Sequence, residues 1–148
     1  MNKVVILGST GSIGKITLNI IRPNIKNFNV ILLSTHSNVK EIFQQALEFK
    51  VKNVIIINNY KRELWKNKFY KKKIKVYSSY DNFNKIFSKK VDYTINAISG
   101  IDGLEPTIKI IKFTKKIAIA NKESIICGWN LIKKKLLKYK TNFIPVDS

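Results

Sequence analysis

The residues best suited to binding a ligand are three glycines near the start of the chain, spaced three residues apart. They are Gly8, Gly11 and Gly14, and the positions between them carry Ser9, Thr10, Ser12 and Ile13. Glycine permits a tight turn and lets the backbone approach a pyrophosphate group that a side chain would keep away. A helix that starts directly after such a turn adds free N–H groups and partial positive charge. We therefore predict that this segment, the glycine loop (residues 8–14), binds the phosphates of a dinucleotide and is more than a structural turn.

The spacing of the glycines separates this loop from other nucleotide-binding loops. Residues 8–14 follow the pattern Gly-x-x-Gly-x-x-Gly, whereas NAD-linked dehydrogenases most often use Gly-x-Gly-x-x-Gly. A nucleoside triphosphate loop is longer and needs Ser or Thr after its Gly-Lys pair, but here Lys15 is followed by Ile16. The pattern therefore favours a dinucleotide over a nucleoside triphosphate.

The end of the second predicted strand indicates which dinucleotide is preferred. NAD enzymes place Asp or Glu there to bind the ribose 2′-hydroxyl, but this chain has Ser34-Thr35-His36-Ser37-Asn38. A carboxylate would repel a 2′-phosphate, so its absence favours NADP(H). His36, the only histidine, either contacts that phosphate or caps the next helix, and both interpretations stay open. We expect Asn38 to be the N-cap of that helix in either case.

Two further polar clusters follow later strands of the predicted sheet. Residues 99–103 read Ser-Gly-Ile-Asp-Gly, and Asn121-Lys122-Glu123-Ser124 follows the next strand. Ligands of open α/β sheets bind at this edge, where Lys suits a phosphate and Asn suits a carboxamide or ribose. The alternative is a helix cap followed by two solvated side chains. Cys127 is predicted to be a buried, inert thiol and not a nucleophile, because no general base lies near it in the sequence.

Strand-length apolar runs alternate with amphipathic stretches along the whole chain, which is typical of βαβ units. The predicted strands span about 3–7, 28–33, 54–57, 74–77, 93–97, 116–120 and 142–146. The predicted helices span about 12–21, 39–49, 64–69, 83–87, 104–111 and 129–139. The fold class is therefore α/β: a Rossmann-like, doubly wound, mostly parallel sheet with helices on both faces. With no repeat or linker, residues 1–148 form one domain.

Composition limits the remaining possibilities. The 148 residues carry a net charge of +19, almost all of it from scattered lysines, with Arg22 and Arg62 as the only arginines. This distribution favours a solvated basic surface over specific nucleic-acid binding, and it helps attract phosphorylated ligands. No apolar run is long enough to span a membrane or form a signal peptide, and the single cysteine forms no internal disulfide. We expect a soluble cytoplasmic protein.

Three motifs, in order along the chain, resemble those of the 1-deoxy-D-xylulose 5-phosphate reductoisomerase family. Leu7–Gly14 matches the family's cofactor loop, Ala120–Ser124 its Ala-Asn-Lys-Glu-Ser motif, and Pro145–Ser148 its Pro-Val-Asp-Ser motif. The resemblance implies that Lys122 and Ser148 contact substrate and that Asp147 binds the catalytic Mg²⁺ or Mn²⁺. It also implies that NADPH is bound by a longer set of residues: Thr10, Gly11, Ser12, Ile13, Asn38, Asn121 and Glu123.

The resemblance also carries an expectation about the reaction. Members rearrange 1-deoxy-D-xylulose 5-phosphate and reduce the resulting aldehyde with NADPH, giving 2-C-methyl-D-erythritol 4-phosphate for non-mevalonate isoprenoid biosynthesis. The resemblance implies a homodimer for the full-length protein. Two other hypotheses are an NADP-linked oxidoreductase of the semialdehyde-dehydrogenase type and a non-catalytic basic nucleotide-binding module.

The chain departs from the family pattern at two places. His36 and Ser37 stand where the family usually has a glycine and a cationic residue, and both are candidates for binding the 2′-phosphate. The family also continues beyond Ser148 into further metal ligands, a loop over the site and a C-terminal domain. We therefore expect this chain to supply the cofactor domain and only the first metal ligand, and to be inactive alone.

Overall fold

Strands and helices alternate along the chain, as the sequence predicts. The computed structural model describes residues 1–146. Its strands are β1 (Asn2–Leu7), β2 (Phe28–Thr35), β3 (Asn53–Ile56), β4 (Lys75–Tyr77), β5 (Val91–Asn96), β6 (Thr114–Ile119) and β7 (Asn142–Ile144). Its α-helices are α1 (Ser12–Ile21), α2 (Val39–Glu48), α3 (Asn59–Lys71), α4 (Phe83–Ile86), α5 (Leu104–Ile110) and α6 (Lys122–Tyr139). Short 3₁₀ turns complete several of the connections.

The seven strands form one sheet in the order β4-β3-β2-β1-β5-β6-β7. Every strand pair within residues 1–146 is parallel, so the predicted mostly parallel sheet is entirely parallel in this range. From β1 the chain first adds strands on one side and, after β4, returns to add β5 to β7 on the other. The order therefore reverses between β1 and β5, which is where ligands of doubly wound sheets bind.

The sheet separates two hydrophobic cores. Alternate residues of β1 face opposite sides, and Val4 to Leu7 are all at most 1% exposed. This explains the uninterrupted apolar sequence of the strand, since both of its faces are covered. One core joins the sheet to α1, α2 and α3 through residues that include Leu18, Ile42 and Phe69. The other joins it to α4, α5 and α6 through residues that include Phe83, Ile110 and Ile132. Helices therefore lie on both faces, as predicted.

Helix α6 begins seven residues before the predicted start at Trp129. The predicted start was wrong, and Gly128 lies within the helix. A Cβ atom at this position would lie only 2.3 Å from the Leu104 side chain, so glycine instead lets α5 and α6 pack closely. The prediction that Cys127 is buried was also wrong. The buried positions of α6 follow a four-residue spacing through Ser124 and Gly128, and Cys127 lies off that stripe and is exposed.

Two other elements are longer than predicted. Strand β2 continues through Thr35, two residues beyond the predicted end at residue 33. Helix α3 begins at Asn59, because the side chain of Asn58 accepts a hydrogen bond from the Lys61 N–H at 2.9 Å and caps it. Within residues 1–146, no helix is long and apolar enough to cross a membrane.

Candidate dinucleotide-binding site

The glycine loop connects β1 to α1 at the point where the sheet order reverses. Two of its glycines are required by the fold itself. Gly8 has a φ of +76°, and a Cβ atom there would lie 2.9 Å from the backbone of Ala97. A Cβ atom at Gly14 would lie 2.4 Å from the carbonyl oxygen of Gly8. Substituting either glycine would therefore displace backbone, whatever the loop binds.

Gly11 differs from the other two glycines of the loop. It has an ordinary φ of −80°, and the nearest neighbour of a Cβ atom there would be the Gly8 carbonyl at 3.6 Å. The protein fold alone therefore does not require glycine at this position. Gly11, Ser12 and Ile13 are all exposed, so an added side chain would occupy the space in front of the loop. This is the space that a close-fitting phosphate group needs.

The N-terminus of α1 faces the same space. Gly11 is the N-cap residue, and glycine has no side chain that could accept a hydrogen bond from the first turn of the helix. The first N–H groups of an α-helix have no partner within the helix, so at this end they are available to a bound anion. Ser12 and Ile13 form the first turn, and Thr10 directly precedes the N-cap. The structure thus brings four of the predicted cofactor residues together around one helix N-terminus.

The carboxyl end of β2 lies beside the glycine loop. The hydroxyl oxygens of Thr10 and Thr35 are 2.7 Å apart, and Thr35 also accepts the Asn38 N–H at 3.3 Å. The side chain of Asn38 accepts the Glu41 N–H at 3.3 Å, which confirms Asn38 as the N-cap of α2. Because Asn38 fills that position, His36 does not cap the helix. His36 is exposed and Ser37 is half-buried at this corner of the sheet.

The opposite side of the site is a cleft of about 300 Å³ where β5 and β6 end. It is lined by Ile13 of α1, by residues 97–100 after β5 and by residues 120–123 after β6. Lys122 and Glu123 lie exposed in the first turn of α6 beside it. The cleft therefore brings residues of the glycine loop and of the Asn-Lys-Glu-Ser segment to one opening.

Asn121 has a structural role at this cleft. Its side chain accepts the Ser124 N–H at 2.8 Å, so it caps α6, and it donates to the Ile98 carbonyl at 2.9 Å. The helix cap, which was the alternative interpretation of this segment, is therefore present, and it ties α6 to the segment after β5. Asn121 is only 8% exposed. A ligand can use only the hydrogen-bonding capacity of its amide that the contacts with Ser124 and Ile98 leave unoccupied.

Sequence reasoning missed the polar residues beneath the glycine loop. Ser34 is fully buried, and its hydroxyl accepts the Gly8 N–H at 2.9 Å. The phenol of Tyr80 lies 3.1 Å from the same hydroxyl. Burial raises the pKa of Tyr80, so this phenol stays protonated at neutral pH. These residues are far apart in the sequence, and no local pattern links them to the loop.

The predicted metal ligand Asp147 and the predicted substrate contact Ser148 lie outside the described residues. Residues 1–146 contain no group of three or more His, Cys, Asp or Glu side chains that could hold a metal ion. The metal ligand Asp147 therefore stays a prediction.

Comparisons with known proteins agree with this geometry. The family model for 1-deoxy-D-xylulose 5-phosphate reductoisomerase matches residues 4–128. The reductoisomerase of Pelagibacter ubique is 56% identical over 151 aligned residues, which cover 100% of this chain and 39% of that protein. The enzyme of Clostridium acetobutylicum is 37% identical, again over 100% of this chain and 39% of its own length. The chain thus spans about two fifths of the length of these relatives.

Solved structures of reductoisomerases share the fold of this chain. The Zymomonas mobilis reductoisomerase in complex with NADPH superposes with a TM-score of 0.89 and 31% identity, covering 99% of this chain and 39% of that one. A reductoisomerase in complex with NADPH, fosmidomycin and magnesium superposes with a TM-score of 0.90 and 28% identity, over 100% of this chain and 37% of that one. The chain belongs to the 1-deoxy-D-xylulose 5-phosphate reductoisomerase family.

Proposed function

We propose that this chain is the NADPH-binding domain of an enzyme that converts 1-deoxy-D-xylulose 5-phosphate to 2-C-methyl-D-erythritol 4-phosphate. The observation that carries the proposal is the uncapped N-terminus of α1 beside Gly11, at the reversal point of the sheet. This arrangement suits a pyrophosphate group lying across the sheet edge. The relatives solved with NADPH share the fold of this chain over almost its full length.

The two halves of the dinucleotide then lie on the two sides of the glycine loop. The adenosine half lies towards the end of β2, where Ser37 and Asn38 offer polar groups and no carboxylate is present. The nicotinamide half lies towards the cleft beside β5 and β6, near Asn121 and Glu123. Bound NADPH supplies the hydride for the reduction, and the domain binds and orients it.

The substrate and metal sites belong to the same proposal. Lys122, exposed at the mouth of the cleft, binds the phosphorylated substrate, and Asp147 and Ser148 contribute a metal ligand and a substrate contact. The net charge of +19 favours the approach of such anionic ligands. A divalent Mg²⁺ or Mn²⁺ ion completes the site, and a relative solved with magnesium and fosmidomycin supports the metal. The proposal also takes the full-length protein to be a homodimer in the cytoplasm.

A titration tests the cofactor role directly. NADPH is added to the folded 148-residue chain while nicotinamide fluorescence is followed, and NADP⁺ is then added as a competitor. We expect saturable binding to one site per chain and release of NADPH by NADP⁺. Fluorescence that never saturates, or that NADP⁺ does not reverse, would contradict the proposal.

A further inference from the structure

Ser9, the second residue of the glycine loop, faces away from the ligand side and into the protein. It is fully buried, and its hydroxyl donates to Oε1 of Gln45 on α2 at 2.8 Å. The side-chain amide of Gln45 donates in return to the Ser9 carbonyl at 3.0 Å. The Ser9 N–H donates to the Ser34 carbonyl at 2.9 Å. The backbone of the loop is therefore held at Ser9 from both α2 and β2.

Gln45 is an unusual residue for its position. It is 7% exposed, and the other buried residues of α2 are Val39, Ile42 and Ala46, which are all apolar. A buried amide costs free energy unless its groups are paired, and Ser9 provides partners for both the oxygen and the nitrogen. An apolar side chain would avoid burying an amide, but it would remove the Gln45 donor from the Ser9 carbonyl. The reciprocal pair instead fixes one distance and one orientation between the helix and the loop.

The pair connects two parts of the proposed cofactor site. Gln45 lies seven residues after Asn38, the N-cap of α2, so it is about 10 Å along the helix from that end. The N-terminal end of α2 carries the groups assigned to the 2′-phosphate, and the glycine loop carries those assigned to the pyrophosphate. A ligand that contacts both parts binds more tightly when the spacing between them is already fixed, because less ordering then opposes binding.

We propose that Gln45 is a positioning residue for NADPH: through Ser9 it sets the spacing between the glycine loop and the 2′-phosphate end of α2. Gln45 is buried behind the loop and does not contact the cofactor. The inference rests on the proposed function, because it takes the assignment of the two phosphate sites from it. It predicts that weakening the pair lowers the affinity for ligands that span both sites and does not change the affinity for ligands that occupy only one.

Two variants and a matched control test this inference in the 148-residue chain. Gln45→Met keeps a flexible side chain of similar length but removes both hydrogen bonds, and Ser9→Ala removes the hydroxyl with a smaller change in volume. Gln44→Met is the control, since Gln44 is the exposed neighbour on the same helix. The dissociation constants of NADPH, NADH and adenosine 2′-monophosphate are measured below the melting temperature of each variant, which circular dichroism gives.

We expect Gln45→Met and Ser9→Ala each to weaken NADPH binding by on the order of tenfold. NADH binding should fall less, and binding of adenosine 2′-monophosphate should not change. Ser9→Ala removes only the hydroxyl hydrogen bond, whereas Gln45→Met also removes the one to the Ser9 carbonyl. The double variant should therefore lose no more NADPH affinity than Gln45→Met alone. Gln44→Met should bind all three ligands like the unsubstituted chain.

Other results would overturn the inference. If the folded variants bind NADPH normally and only melt at a lower temperature, the pair is structural. An equal loss of affinity for all three ligands would indicate general damage to the domain. If Gln45→Met does not fold, Ser9→Ala decides the question by the same criteria. Failure of the unsubstituted chain to bind NADPH would instead reject the proposed function, and the inference with it.

Discussion

The hydroxyl oxygens of Thr10 and Thr35 lie 2.7 Å apart and join the glycine loop to the carboxyl end of β2. Thr35 is 3% exposed and also accepts the Asn38 N–H, so the same threonine contacts the start of α2. The loop proposed to bind the pyrophosphate and the corner proposed to bind the 2′-phosphate are thus parts of one hydrogen-bonded unit. Cofactor choice and cofactor affinity should therefore respond to changes on either side of this contact.

The chain should bind NADPH more tightly than NADH. Strand β2 ends without a carboxylate, and Ser37 and Asn38 follow it. These two residues lie at the N-terminus of α2, where the helix dipole favours the negative charge of an added phosphate. Ser37→Asp should reverse the preference, because the new carboxylate repels the 2′-phosphate and accepts from a free ribose hydroxyl. Ser37→Asn serves as the uncharged control. Fluorescence titration with both cofactors gives the ratio, and equal affinities in the unsubstituted chain would count against a 2′-phosphate site at this corner.

Gly11→Val should abolish dinucleotide binding in a domain that stays folded. A Cβ atom at position 11 would have the Gly8 carbonyl, at 3.6 Å, as its nearest neighbour beyond the adjacent residues, and it would lie at the space assigned to the phosphates. Gly14→Val is the contrasting variant, since even its Cβ atom would overlap the Gly8 carbonyl at 2.4 Å. That change should reduce the free energy of unfolding by roughly 1–3 kcal/mol or more. Circular dichroism melting and NADPH titration separate the two effects, and normal NADPH binding by Gly11→Val would place the pyrophosphate elsewhere.

Arg22→Gln should destabilise the domain in a pH-dependent way. The hydrogen-bonded guanidinium of Arg22 holds the pKa of the Glu48 carboxyl below its ordinary value. Because this pKa is lower in the folded than in the unfolded chain, the pair stabilises the fold above the unfolded pKa, near 4.3. The contribution is lost as the pH falls through the lower, folded pKa.

Thermal melts of the Arg22→Gln variant test the sign of this effect. The melting temperature should lie slightly below that of the unsubstituted chain at neutral pH, because both side chains are nearly half exposed and solvent weakens the pair. The difference should shrink as the pH falls below about 4, leaving the contribution of the contacts of Arg22 with Asn19 and Phe49, which do not titrate. Lys26→Gln, an exposed substitution with the same loss of charge, controls for net charge. A difference that persists unchanged at acid pH would show that Glu48 is not the cause.

The 148-residue chain by itself should not turn over 1-deoxy-D-xylulose 5-phosphate. It spans 39% of the length of its relatives, and its described residues contain no cluster that could hold a metal ion. A single carboxylate such as Asp147 does not fix Mg²⁺, which requires near-octahedral coordination. The test measures NADPH oxidation, in the presence of Mn²⁺ and substrate, by this chain and by one extended to the length of the relatives. Substrate-dependent oxidation by the short chain, at a rate like that of the longer one, would contradict this account.

The sequence predicted those parts of the fold and site that depend on local patterns. Uninterrupted apolar runs identified the strands, and the glycine spacing identified the loop before α1. The start of α6 was missed, because the packing of Gly128 against Leu104 is a tertiary contact that overrides the usual effect of glycine on a helix. The pairs Thr10–Thr35 and Ser9–Gln45 could not be predicted either. They join residues 25 and 36 positions apart, and only the folded sheet brings them together.

NADPH should bind across the glycine loop, at the point where the sheet order reverses. Backbone amide NMR of the isotopically labelled 148-residue chain, titrated with NADPH, measures this directly. We predict the largest shift changes at the amides of Gly11, Ser12 and Ile13, with further changes at residues 36–38 and 98–100, which line the two sides of the site. Adenosine 2′-monophosphate alone should shift residues 36–38 and leave 98–100 unchanged. Saturable NADPH binding without shift changes at the amides of residues 11–13 would contradict the account.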